Sequence, residues 1–178
     1  MSFEPVGAET VYRGRIVDVR IERFRHDDGE EVTREVVRHP GAVAIVAHDE
    51  QAVWLTRQPR EAVDAHGLLE IPAGRLDKPG EEPLAAAKRE LAEEVSLGAG
   101  HWEHIVSYWS AAGITDERVH VFSATDLREA HADSGEQERI AVIRWPLADL
   151  AGAIGECEDA KTLIGLQWLA LQMSGRLQ

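Results

Sequence analysis

Cysteine is almost missing from this chain: Cys157 is the single one in 178 residues. One thiol cannot close an internal disulfide, and with no second cysteine near it a zinc–thiolate site has little basis. Long apolar runs are absent as well. No window approaches the roughly 18 consecutive apolar residues of a membrane span, and the first residues carry no basic segment followed by an apolar stretch. The expectation is a protein that is neither secreted nor membrane-inserted, at home in a reducing cytoplasm. Positive charge is scarce too, with 19 Lys and Arg against 32 Asp and Glu and a formal charge of −13. General affinity for a nucleic acid backbone requires clusters of cations, so no nucleic-acid partner is expected. Much of the acid serves as solvated surface, so the informative question is where carboxylates cluster.

What is present suffices for a real core: 44% of the residues are hydrophobic, enough for one globular unit or for a core domain with a small accessory sheet. From Val11 to Ile21, the apolar Val17, Val19 and Ile21 alternate with Asp18 and Arg20, the period of a strand with one buried face. A turn at Asp28-Gly29 and a second strand over Glu31 to Val37 complete a β-hairpin that ends near His39-Pro40-Gly41. Residues 1–40 therefore read as an accessory antiparallel sheet and residues 41–178 as the main domain. In the latter, the continuous apolar run Ala42 to Ala47 and the stretch Ala52 to Thr56 read as buried strands that should pair. Leu68 to Ile71 forms another, stopped by Pro72, and Asp77 to Gly80 forms a polar turn. A helix follows from Glu81 to Val95, with Pro83 suited to its first turn and Glu81 and Glu82 complementing its positive end. Strand-like segments recur at Ile105 to Trp109, Val119 to Ser123 and Ile140 to Trp145, and helical periodicity at Lys161 to Met173. The mixture indicates an α+β protein or a three-layer sandwich.

On the Glu81 to Val95 helix, Glu90, Glu93 and Glu94 share one narrow face, since a 100° step per residue leaves Glu94 about 40° to one side of Glu90 and Glu93 about 60° to the other. Leu84, Ala87, Leu91 and Val95 form an adjacent apolar stripe, so these carboxylates border the core side. Like charges at this spacing repel by a few tenths of a kcal/mol per pair. Such a face is either a solvated acidic surface or a seat for a hard cation. Oxygen-only donors of this kind suit Mg²⁺ or Mn²⁺.

The segment from Gly74-Arg-Leu-Asp-Lys-Pro-Gly-Glu81 through Arg89-Glu90-Leu-Ala-Glu93-Glu94-Val-Ser96-Leu97 closely resembles the Nudix box, the loop–helix–loop signature of Nudix hydrolases. Two departures are visible. One extra residue lies between Gly74 and Glu81, and Ser96 stands where that family usually has glycine. Neither removes a metal ligand. The resemblance implies a Nudix-type α/β/α sandwich in which Glu90 and Glu94 are direct metal ligands, Glu93 acts directly or through water, and the Ala73 carbonyl adds an oxygen. Glu81 and Arg89 would pair and brace the loop.

Beyond the box, Arg13 to Val19, the Asp28-Gly29 turn, Arg34 to Val43, Arg57-Gln-Pro-Arg60 and Leu69-Glu70-Ile-Pro-Ala73-Gly74 resemble the ADP-ribose pyrophosphatases within that family. The resemblance implies metal-dependent hydrolysis of ADP-ribose to AMP and ribose 5-phosphate by a homodimer that exchanges its N-terminal sheets. It implies that Arg60 meets the pyrophosphate, a role suited to a bidentate guanidinium, with Glu70 as an accessory contact. It also implies a general base on a loop after the box, where Asp133-Ser-Gly-Glu136-Gln-Glu138 offers Glu136, or else Glu138. One departure bears on specificity: Ala111-Ala112-Gly113 occupies the region where those enzymes often carry proline. Other nucleoside diphosphate derivatives remain alternatives, namely a nucleoside diphosphate sugar, NADH or a diadenosine polyphosphate. A non-catalytic Nudix domain that senses a nucleotide is a further one, although it should have lost box carboxylates or gained a basic module.

Overall fold

Three strands open the chain in a computed structural model that describes residues 1–132 and 139–176. They are β1 (Phe3–Arg13), β2 (Asp18–His26) and β3 (Glu31–Arg38), paired antiparallel in that order. The Asp28-Gly29 turn closes the second hairpin: Gly29 has φ 90°, its N–H donates to the His26 carbonyl at 3.0 Å, and the His26 N–H donates to the Glu30 carbonyl at 2.9 Å. A two-stranded hairpin starting near Val11 is thereby corrected to a three-stranded sheet. Almost every side chain of β1 is exposed, so it has no buried face to write an alternation into the sequence, and register shifts near Val6 and Val11 break its period further.

Residues 1–41 form one compact unit together with residues 108–118, and residues 42–107 with 119–178 form the other. Within the first, Arg38 Nε donates to buried Glu22 at 2.8 Å while its Nη1 meets Asp116 Oδ2 at 2.9 Å. The Val37 N–H donates to the Ile114 carbonyl at 2.8 Å. The end of β3 thus holds the 108–118 segment by a charged fork and a backbone bond.

The second unit contains β4 (Ala42–His48), β5 (Ala52–Arg60), β6 (Ala65–Glu70), β7 (Ala73–Arg75), β8 (Leu97–Trp109), β9 (Arg118–Glu129) and β10 (Ala141–Pro146). The last two residues of β8 and the first of β9 fall in the other unit. The strand order is β10-β5-β4-β9-β8, with β6 added to β5 and β7 to β4; β4 and β9 run parallel. Strands β4 and β5 pair antiparallel through Ala47 with Trp54 and His48 with Val53, as the two apolar runs suggested.

The β4 run is apolar throughout because both of its faces are covered. Val43, Ile45 and Ala47 belong to the cluster that buries Ala86, Ala87, Leu91 and Val95 of α1 (Pro83–Val95). Val46 points the other way, to α3 (Ala160–Met173), where a Cβ on Gly165 would come within 2.7 Å of Val46 Cγ2. Glycine is required there for close approach. Helices on both faces of a mixed sheet make the second unit an α/β/α sandwich, and the first unit holds a small antiparallel sheet, together the α+β class that the sequence indicates. The short α2 (Leu150–Glu156) is an addition to that reading.

One detail of the α1 stripe is corrected. Leu84 is 37% exposed, while Ala86 is fully buried. By angle Leu84 falls between Leu91 and Val95, so its exposure reflects its place in the first turn rather than a wrong side of the helix.

Candidate active site

The site grows out of α1. Glu82 caps the helix in extended conformation and Pro83 takes the first helical position, where no N–H is needed. The helix ends at Ser96 in the left-handed conformation (φ 58°, ψ 34°), its N–H donating to the Ala92 carbonyl at 3.2 Å. Serine therefore makes the turn that glycine usually makes, at a cost of roughly 1–2 kcal/mol in backbone strain.

Arg89 organises the acidic face. Its Nε and Nη2 form a fork on Glu81, at 3.0 and 2.9 Å, and its Nη1 lies 2.6 Å from Glu90 Oε1 and 2.8 Å from Glu93 Oε2. The fork holds the Glu81 carboxyl below the usual carboxylate range, and the three carboxylates together hold Arg89 firmly in its charged form. Glu94 acts differently: its Oε2 accepts the Ala73 N–H at 3.0 Å and so ties α1 to the start of β7. Among the described residues, no three metal-ligating side chains converge on one point; Glu90 and Glu93 both meet Arg89, and Glu94 meets the backbone of Ala73.

Gly74, next to Ala73, is needed for space. A Cβ there would lie 1.9 Å from the carboxyl carbon of Glu90, so the glycine forms a cradle that the carboxylate fills. A donor set of carboxylate oxygens beside backbone, with a cationic nitrogen already between Glu90 and Glu93, fits a hard divalent cation.

Across the sheet, Arg60 ends β5 and Glu70 ends β6. Glu70 is only 2% exposed and receives Arg60 Nε at 2.8 Å and Nη2 at 3.2 Å. Burial works against the Arg60 charge, but Glu70 foremost, then Glu94 and Asp159, raise its pKa, so Arg60 lies within the field of Glu94, one of the box carboxylates. Lys161, in the first turn of α3, also binds Glu70 and contacts Asp159 at 3.0 Å. Sequence reasoning missed Lys161: it lies 91 residues from Glu70, and no local period links the two. Glu136 and Glu138 lie outside the described residues.

A NUDIX domain model matches residues 37–164. The ADP-ribose pyrophosphatase of Mycobacterium tuberculosis is 39% identical over 169 residues, covering 92% of this chain and 81% of that protein. The ADP-ribose pyrophosphatase of Bacillus subtilis is 36% identical over 172 residues, covering 94% and 92%. A crystal structure of an ADP compounds hydrolase superposes with a TM-score of 0.84 at 25% identity, covering 99% of this chain and 98% of its own.

Proposed function

This chain belongs to the Nudix family, and from that premise we propose that it hydrolyses the pyrophosphate bond of ADP-ribose, adding one water to release AMP and ribose 5-phosphate. The observation that carries the reading is the shared nitrogen of Arg89, which brings Glu90 and Glu93 together, with the Glu90 carboxylate seated against Gly74. Glu90, Glu93 and Glu94, with the Ala73 carbonyl, would hold Mg²⁺, with Mn²⁺ as a substitute. When bound, the cation would neutralise diphosphate charge and orient the attacking water.

The remaining steps fall to the chain's own groups. Arg60 binds a diphosphate oxygen, oriented by the buried Glu70 behind it. Arg89 and Glu81 hold the box loop against α1. Glu136, or Glu138 in its place, takes the proton from water, because carboxylates engaged with a cation are poor bases. ADP-ribose is favoured over a nucleoside diphosphate sugar, NADH or a diadenosine polyphosphate by the activity named for both relatives.

The reading includes a cytoplasmic homodimer. Phe3, Val11, Tyr12 and Ile16 are all more than half exposed, an apolar set suited to a second copy. Among the described residues no helix is long and apolar enough to cross a membrane. Light scattering at the 19.7 kDa chain mass would contradict the dimer. The test of substrate is a panel of nucleoside diphosphate derivatives incubated with Mg²⁺. ADP-ribose should give the highest kcat/KM, and a clear preference for another member would overturn the assignment.

A further inference from the structure

The two cations on Glu70 exceed what that carboxylate needs. A buried carboxylate is costly unless paired, and the Arg60 fork already meets both of its oxygens, at 2.8 and 3.2 Å. Lys161 nevertheless binds Glu70 Oε1 as well, and its side chain is 15% exposed against 41% for Arg60. The lysine is held in place by its surroundings. Asp159 accepts the Thr162 N–H at 3.0 Å and the Thr162 hydroxyl at 2.6 Å, capping α3, and its other oxygen meets Lys161 at 3.0 Å. Thr162 Oγ1 in turn accepts the N–H of Ile71, the residue after Glu70, at 2.9 Å. The start of α3 is thus fastened to the strand end that carries Glu70, and Lys161 is delivered to that carboxylate as a fixed cation.

The consequence falls on Arg60. Its Nη1 has no hydrogen-bond partner in the protein among the described residues, and it is the more exposed of the two cations. We propose that Lys161 is a positioning residue: by sharing the charge of Glu70 from the buried side, it leaves the outer edge and charge of Arg60 available to an oxygen of the substrate diphosphate. Without Lys161, Glu70 would draw Arg60 inward as its sole counter-ion, and the arginine would have less to offer a second anion. This inference rests on the reading of Arg60 as the diphosphate contact.

The test uses the full chain with Lys161→Met, Lys161→Arg and Arg60→Gln, alone and combined, measuring kcat and KM for ADP-ribose with Mg²⁺ and the Kd for ADP by calorimetry. Lys161→Met should raise KM about 10-fold while kcat stays within about threefold, and Lys161→Arg should restore most of the loss. In the Arg60→Gln background, Lys161→Met should add less than about twofold, since both changes remove one interaction. An unchanged KM, or a loss that persists in full without Arg60, overturns the proposal and leaves Lys161 as a fastening between α3 and β6. If Lys161→Met does not fold, Lys161→Gln is read in the same way. A wild-type protein that binds ADP but does not cleave ADP-ribose would sink the proposed activity alone. In that case a roughly 10-fold weaker Kd for ADP in Lys161→Met supports the role of Lys161, whereas an unchanged Kd, or no ADP binding by the wild type, overturns it.

Discussion

Gly74 and Glu90 leave no room for another atom between them: a Cβ on Gly74 would lie 1.9 Å from the Glu90 carboxyl carbon. The obstructed group is the far end of a flexible side chain, so Gly74→Ala should displace the Glu90 carboxylate rather than the backbone. Turnover of ADP-ribose should fall by roughly 10²-fold, the scale of an ångström-sized misplacement at a reacting site, while the melting temperature changes little. Normal turnover in this variant would mean that the position of Glu90 does not matter to the chemistry.

The general base is predicted within the acidic segment 133–138 that follows the box in sequence. Glu136→Gln should lower kcat by about 10²-fold or more with KM largely kept. If Glu138→Gln gives that loss instead, the base lies two residues further on. Near-normal kcat in both variants would remove this segment from the chemistry.

Much of this architecture is legible in the sequence because local rules and packing agree. The α1 helix is marked by Pro83 and by the spacing of its glutamates, and β4 by an apolar run that only a strand covered on both faces needs. The first strand is not legible, since Phe3–Arg13 buries almost nothing and carries no period. The α2 helix is hidden by its length and by Gly152 and Gly155. At the site, Arg89 and Glu81 sit inside one motif, whereas the pairing of Glu70 with Lys161 exists only because β6 and the start of α3 meet in space. Leu84 shows a different limit: its angle around the helix is right, and its place along the helix decides its exposure.

Ser96 holds a left-handed conformation at φ 58° that glycine adopts without strain. Ser96→Gly should stabilise the protein by about 0.5–1 kcal/mol after the entropy of the more flexible unfolded chain is counted. That corresponds to a rise in melting temperature of roughly 1–4 °C for a domain of this size. Activity should be unchanged. A lower melting temperature would mean that the serine side chain contributes more than the strain costs.

Acid should loosen the first unit through Asp116. Burial pushes its carboxyl pKa up, but the Arg38 guanidinium and the His39 N–H outweigh that and hold it below the ordinary value. Its contribution to stability is therefore fully present above the unfolded pKa of about 3.9 and is lost as pH falls through the lower folded value. Thermal melts of the wild type and Asp116→Asn should differ most near neutral pH and converge as pH drops below about 4. A gap that stays constant down to pH 2 would exclude this ion pair as its source.

Metal-dependent cleavage of ADP-ribose at the carboxylates of α1 is checked by incubating the purified protein with ADP-ribose and Mg²⁺ and following AMP and ribose 5-phosphate, with a chelator and with Glu94→Gln as the two controls. The two products should form in equal amounts, with none after chelation, and turnover should fall by orders of magnitude in Glu94→Gln with its fold retained. Cleavage that survives thorough chelation, or near-normal turnover in Glu94→Gln, would rule out a catalytic metal on α1.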